Sequence, residues 1–207
     1  LHKAPTIIFD LDSTLYNTPL LKEKVAKYFE AEVARNPKLQ GKIKGEELLS
    51  KNPDDVVSEF RFNEMEKNKY LRFYENLPLP QESLLFPDVR DTLIEFKQQG
   101  NLLFLVTRGE AVLQWRKIRK SGISHFFKEV IVVGARCKMK TKHQAFEDIV
   151  IRNHLLPSSA WIIGDGQEEL TAGRELGCQT VQTLRPGIPK READHHITIL
   201  PELLTLI

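Results

Sequence analysis

Apolar residues fall along this chain in two textures. Before residue 16 and after about residue 86 they gather in short continuous runs: Thr6-Ile7-Ile8-Phe9, Leu102 to Val106, Val130 to Val133, Trp161-Ile162-Ile163 and Thr180 to Leu184. Unbroken runs of this length suit strands buried on both faces of a parallel sheet. A last short strand is expected at Ile197 to Ile199. Between the runs the apolar positions move to helical spacing. Val89, Leu93, Ile94 and Phe96 mark a helix from Asp88 to Gln99, closed by Gly100. Further helices are predicted from Glu110 to about Lys120, from about Lys142 to His154, and up to Leu176-Gly177. Strand and helix alternate at βαβ spacing, which predicts an α/β fold: a three-layer, Rossmann-like parallel sheet with helices on both faces.

Residues 17–85 read differently. Leu20, Leu21, Val25, Tyr28, Phe29 and Val33 form one helical stripe that ends at Asn36-Pro37. Gly41 and Gly45 mark a loose connection, and Glu46 to Ser50 a short helix. After Asn52-Pro53 a long pattern through Val56, Val57, Phe60, Met65, Tyr70, Phe73 and Tyr74 predicts two more helices. Leu77-Pro78-Leu79-Pro80 closes the segment with a stiff connection. The expected organisation is a main domain of residues 1–16 and 86–207, interrupted by an all-helical insert, 17–85, with its own small core.

Composition narrows the class only a little. The chain has 207 residues, 41% hydrophobic and 28% charged, as in ordinary globular proteins. Its formal charge of +2 arises from 30 basic and 28 acidic residues, so neither nucleic acid nor an anionic membrane is implied as a partner. No apolar run approaches the roughly 20 residues that span a bilayer. Cys137 and Cys178 lack metal-ligand spacing and favour free thiols in a reducing compartment, with cytoplasmic location expected. Trp115 and Trp161 are expected to pack, and Asp194-His195-His196 to lie in a loop entering an edge strand.

Candidate chemistry comes from the polar residues at the strand ends. In an open parallel sheet, ligands bind beyond the carboxyl ends of the strands. The first run delivers Asp10 and Asp12, two acids that by strand alternation start out facing the same way. Another run stops at Thr107-Arg108-Gly109, at the start of a helix whose free amides favour an anion. A third stops at Gly164-Asp165-Gly166, with Glu169 four residues beyond Asp165. Lys138, Lys140 and Lys142 precede a helix. Carboxylates from two strand ends suit a hard divalent cation, and Mg2+ prefers few protein carboxylates together with water and phosphate oxygens. A threonine, helix amides and a lysine suit a phosphoryl group. The predicted pocket holds magnesium and phosphate.

Together these residues resemble the haloacid dehalogenase superfamily. Asp10-Leu11-Asp12-Ser13-Thr14 is similar to its first motif, Thr107 in Leu105-Val106-Thr107-Arg108-Gly109 to its second, and Gly164-Asp165 followed by Glu168 and Glu169 to its fourth. Phe86-Pro87-Asp88-Val89 resembles the family's return from its cap, and residues 17–85 fit the place and size of the helical C1-type cap. The third motif, a lysine, has two candidates. Thr141 reads as a helix N-cap with Lys142 in the first turn, and Lys142 is favoured over Lys140.

The resemblance implies a Mg2+-dependent phosphomonoesterase acting on a small phosphorylated metabolite. Asp10 would attack phosphorus and form an aspartyl-phosphate. Asp12 would protonate the leaving alkoxide and then activate water, its proton affinity raised by the neighbouring charge. Thr107 and the lysine would hold phosphoryl oxygens; apart from the resemblance, Arg108 is a candidate to touch substrate because it follows Thr107. Asp10 and Asp165 would ligate the metal through their side chains and Asp12 through its carbonyl, with Glu169 orienting a metal-bound water. A phosphomutase shares these residues and is the nearest alternative, a dehalogenase has no use for Asp12, and a non-catalytic binding module is the alternative of a different class.

Overall fold

The computed structural model describes residues 4–134 and 136–207; residues 1–3, which open the expected main domain, lie outside it, as does residue 135. Six parallel strands form one sheet: β1 (Thr6–Phe9), β2 (Leu102–Arg108), β3 (Glu129–Val133), β4 (Ala160–Gly164), β5 (Gln179–Thr183) and β6 (His195–Ile197). Their spatial order is β3-β2-β1-β4-β5-β6. The order reverses direction at β1, so β1 and β4 flank the point where crossover helices leave to opposite faces and a crevice opens. Register places Phe9 beside both Leu105 and Ile163, so the chain leaves β1 between the ends of β2 and β4.

Alternation along β1 distributes its side chains to two cores. Ile7 and Phe9 join Leu103, Leu105, Ile163 and Val181 on one face, against α5 (Val89–Gln98) and α6 (Ala111–Ser121). Ile8 joins Phe104, Val106 and Ile162 on the other, against α7 (Lys142–Arg152) and α8 (Gln167–Glu175). The helix ends follow local chemistry. Glu110 accepts from Leu113 N at 2.8 Å to cap α6, which stops at Gly122 in the left-handed region that glycine enters freely. Thr141 caps α7 through Gln144 N at 3.2 Å.

The insert is helical throughout its regular structure: α1 (Thr18–Arg35), α2 (Gly45–Ser50), α3 (Pro53–Glu59) and α4 (Glu64–Glu75). Asn17, Asn52 and Asn63 each supply a side-chain cap to the helix that follows. Its apolar side chains do not form a separate core. Leu21, Val25, Phe29, Tyr70 and Tyr74 run through Leu15, Tyr16 and Leu84 into the cluster on the β1 face, because the segments entering and leaving the insert are themselves buried.

The last strand falls two residues earlier than expected. Glu202 accepts from the amides of Thr198 and Ile199, at 2.9 and 3.0 Å, and removes them from the ladder. His195 within that strand stacks on Trp161, and Asp194 ties to Thr180 at 2.7 and 2.8 Å, as expected of an edge rather than a site. Trp115 departs from expectation: it is exposed on the outward side of α6, away from the buried stripe of Leu113, Gln114, Lys117 and Ile118.

Candidate active site

Two acids begin the site. The β1 ladder extends one bond further, from Asp10 N to Ile163 O at 2.8 Å, and then the chain folds back. Ser13 takes φ of 59°, and the amides of Leu15 and Tyr16 both reach Leu11 O. The chain thus turns directly after Asp12, and the two carboxylates meet different cations, Lys142 for Asp10 and Lys117 for Asp12.

Asp10 is buried and faces α7 and α8. Lys142 Nζ lies 2.8 Å from its Oδ1 and 2.9 Å from Glu169 Oε2. Glu169 turns its other oxygen to the amide of Gly166, so both its oxygens are engaged. Asp165, at the end of β4, completes a group: Asp10, Asp165 and Glu169 offer carboxylate oxygens within 4.8 Å of one another. Lys140 does not enter this cluster. It sits one residue outside the Thr141 cap, where its Nζ reaches Cys137 O at 2.6 Å on the exposed side.

The electrostatics of this group are those of an unrelieved acidic cluster. Burial raises the Asp10 carboxyl well above the ordinary range, and Glu169 and Asp165 add to the rise while Lys142 opposes it. Asp165 is pushed up to about 7, by burial first and by Glu169 next. Burial works against the Lys142 ammonium, yet Asp10 and Glu169 outweigh it and hold the lysine charged. With all three carboxylates ionised, one ammonium would leave two negative charges, the deficit that a divalent cation meets. Hard oxygen donors at this spacing fit Mg2+.

Asp12 occupies a separate niche. Its Oδ1 receives Thr18 Oγ1 at 2.6 Å and Lys117 Nζ at 2.8 Å, and its Oδ2 receives Gln114 Nε2 at 2.8 Å. Burial alone would raise its pKa, but Lys117 and the three hydrogen bonds outweigh burial and lower it. This corrects the expectation of raised proton affinity: the nearest strong charge is the Lys117 cation. Gln114 and Lys117 have no place in the sequence motifs. Their signal was a glutamine and a lysine on the stripe of α6 that otherwise carries buried Leu113 and Ile118.

Thr107 lies fully buried near the end of β2, its Oγ1 receiving Gln114 Nε2 at 2.6 Å. Arg108 next to it pairs with Glu168 at 3.2 Å and approaches Asp55 of α3 at 3.9 Å, while its Nε is buried without a partner. A cleft of about 290 Å³ opens above Asp12 between the insert and the sheet; Thr18, Lys22, Tyr74, Arg108 and Lys117 line it. Asp10, Lys142, Asp165 and Glu169 thus gather beyond β1 and β4, while Thr107, near the end of β2, is joined through Gln114 to Asp12, which lines the cleft with Arg108.

The profile of the haloacid dehalogenase-like hydrolases matches residues 7–183. The chain belongs to that family. It is 28% identical over 203 residues to glyceraldehyde 3-phosphate phosphatase of Methanopyrus kandleri, covering 86% of this chain and 83% of the relative. Phosphoglycolate phosphatase of Vibrio cholerae is 29% identical over a shorter stretch, 46% of this chain and 42% of the relative. Among solved structures, a phosphatase of the same family from Thermococcus onnurineus superposes with a TM-score of 0.67 at 22% identity, covering 98% of this chain and 97% of that one, which speaks to the fold. This chain is an enzyme of the phosphatase type within the family, and among the described residues no helix is long and apolar enough to cross a membrane.

Proposed function

We propose that the protein is a Mg2+-dependent phosphomonoester hydrolase of a small phosphorylated metabolite, working through an aspartyl-phosphate on Asp10. The observation that carries this reading is the charge balance at the strand ends, where three carboxylates surround one ammonium. Mg2+ held by the Asp10 and Asp165 side chains and the Asp12 carbonyl would supply the positive charge that keeps Asp10 ionised and screens its approach to an anion.

In the first step an Asp10 carboxylate oxygen bonds to phosphorus as the phosphorus–oxygen bond to the leaving group breaks. Asp12 delivers a proton to the departing alkoxide. At rest its carboxylate is ionised beside Lys117, and the negative charge of an arriving phosphoryl group works against Lys117 and favours the protonated form. In the second step Asp12, again a carboxylate, takes a proton from the water that attacks the aspartyl-phosphate; phosphate leaves and Asp10 is restored. Thr107 and Lys142 hold phosphoryl oxygens, with much of the barrier lowering coming from placed positive charge. Arg108 faces the leaving group from the cleft side.

The helices of residues 17–85 roof the cleft, and we assign them as a cap over a main domain of 1–16 and 86–207. A cleft of about 290 Å³ sits at the small end of ligand pockets and suits a leaving group of a few carbons. Glyceraldehyde 3-phosphate and phosphoglycolate, the substrates in the relatives' names, are esters of that size and are the first to try. We place the enzyme in the cytoplasm on its two unbridged cysteines.

The test is phosphate release from a panel of phosphorylated metabolites by purified protein with Mg2+. Turnover that needs the metal and is abolished by Asp10→Asn is expected. Turnover that survives Asp10→Asn would remove the nucleophile assignment, and binding of Mg2+ and phosphate without turnover of any ester would favour a binding module.

A further inference from the structure

We propose that Gln114 and Lys117 of α6 are positioning residues for Asp12: they hold its carboxylate in one orientation and tie it to Thr107, so that proton delivery and phosphoryl binding share one frame. This rests on the proposed function, in which Asp12 carries the proton.

Three features of the niche lead there. Asp12 lies beyond the last ladder bond of β1, in a loop that folds back on itself, so the sheet does not fix its side chain. Instead three donors grip it: Thr18 Oγ1 and Lys117 Nζ on Oδ1, and Gln114 Nε2 on Oδ2. An ionised carboxylate has about four lone-pair sites. Both sites on Oδ1 and one on Oδ2 are taken, leaving a single site on Oδ2 as the place from which a proton is handed over or received.

The second feature is the cost of the arrangement. Lys117 is only 5% exposed and Gln114 2%, on a helix face where leucine and isoleucine are their buried neighbours. A buried ammonium is expensive to desolvate. Its one ion pair among the described residues is with Asp12, and its other cation contact is the Tyr16 ring at 5.4 Å. An apolar side chain would serve packing better at this position, so the cation acts on Asp12 rather than on the core.

The third feature is the bridge. The two amide hydrogens of Gln114 serve its two shorter contacts, Asp12 Oδ2 and, at 2.6 Å, Thr107 Oγ1, with Arg108 O at 3.0 Å sharing one of them. Because the Thr107 oxygen accepts from Gln114, its own hydrogen is left to donate to a phosphoryl oxygen. One amide therefore orients both the hydroxyl that holds the phosphoryl group and the acid that serves its leaving oxygen.

The test compares kcat/KM with Mg2+ on two esters, glyceraldehyde 3-phosphate and 4-nitrophenyl phosphate. This parameter covers steps only through the first irreversible bond cleavage. An alkoxide leaves poorly without a proton, whereas nitrophenolate leaves without one. Lys117→Met and Gln114→Leu are expected to lower kcat/KM for the alkyl ester by about 10–100-fold, part of what a general acid supplies. For Lys117→Met the aryl ester should change by less than about threefold, matching the selectivity of Asp12→Asn, whereas Gln114→Leu also frees Thr107 and should lower the aryl ester too, by less than it lowers the alkyl one. Lys117→Arg should restore part of the alkyl rate. In an Asp12→Asn background, Lys117→Met should cost almost nothing further, since it acts through Asp12. Equal losses on both esters, an unchanged alkyl rate, or full additivity with Asp12→Asn would overturn the proposal. A wild-type protein that releases phosphate from neither ester nor any other metabolite would instead overturn the proposed function, and this inference with it.

Discussion

The guanidinium of Arg185 meets the carboxylate of Asp88 through two bonds, 2.9 Å from Nη1 to Oδ2 and 3.0 Å from Nη2 to Oδ1. Arg185 follows β5, and Asp88 opens α5 where the chain returns from the insert. The same guanidinium lies 4.1 Å from the centre of the Phe86 ring and donates to Thr14 O at 3.2 Å, within the loop that carries Asp12. Asp88 also receives the Leu200 amide at 2.7 Å. One pair, with Arg185 buried and Asp88 half-buried, thus joins the acidic loop, the return from the insert and the C-terminal segment. Removing the guanidinium leaves Asp88 without its cation, and Arg185→Ala is expected to cost about 3–5 kcal/mol. Urea denaturation checks this; a loss under about 1 kcal/mol would place the pair among weak surface bridges.

The sheet was legible because β1 obeys its period. Ile7 and Phe9 go to one core and Ile8 to the other, and the strand runs at β1, β2 and β4 end close to Asp10, Thr107 and Asp165. Asp10, Thr107 and Asp165 followed from that rule alone. What was not legible depended on rotation rather than on period. Asp12 parts from Asp10 in its partners, bonding to Thr18, Gln114 and Lys117 where Asp10 bonds to Lys142. Gln114 and Lys117 reach Asp12 because α6 happens to present that stripe to the loop, and helical spacing states which residues share a face without stating what the face meets. Lys140 and Lys142 lie on opposite sides of the Thr141 cap, which favoured Lys142 in the sequence without showing that it would meet Asp10 and Glu169 while Lys140 meets Cys137 O.

The Asp165 shift predicts a pH dependence of metal binding and stability. Its carboxyl rises from an ordinary value of 3.8 to about 7, with burial the main cause and Glu169 the next. A carboxyl raised on folding binds more protons in the native state, so in the absence of metal it contributes less stability as pH rises from about 4 to about 7. Mg2+ competes with that proton. Thermal melting is expected to show a metal-free protein that loses stability across this window and a Mg2+-induced rise in Tm that grows with pH. Asp165→Asn should reduce both trends, leaving the part that the raised Asp10 carboxyl carries; trends unchanged in the variant would assign the effect to another group.

Gly164 predicts a steric control on the acidic cluster. A Cβ at this position would fall inside contact distance of the Glu169 side chain, at its Cγ, Cδ and Oε1. Glu169 is already fixed at both ends, by the Gly166 amide and by Lys142. It has no slack to yield, so Gly164→Ala should displace the carboxylate and, with it, Lys142. The expected result is an activity loss of at least about tenfold, of the kind that misplacement by an ångström produces. The half-saturating Mg2+ concentration should rise with it, and a variant with unchanged kinetics and metal response would show that Glu169 adjusts freely.

Lys142 and Lys140 give the sharpest comparison, because they are two residues apart with opposite surroundings. Lys142 is buried and charged between Asp10 and Glu169 at 2.8 and 2.9 Å; Lys140 sits on the exposed side at Cys137 O. Lys142→Met removes a phosphoryl-holding cation and, in the same change, leaves the three carboxylates of the cluster without their ammonium. Activity should fall by about 10²–10³-fold, as when an electrostatic donor to the reacting group is removed. The variant should also melt lower at pH 8 than at pH 5, where the carboxyls can take up protons instead, and should depend more strongly on Mg2+ for its stability. Lys140→Ala should leave activity within about twofold and the melting profile unchanged, as ordinary surface substitutions do. The opposite ranking of the two variants would move the phosphate-binding role to Lys140 and reduce Lys142 to a buried counter-ion.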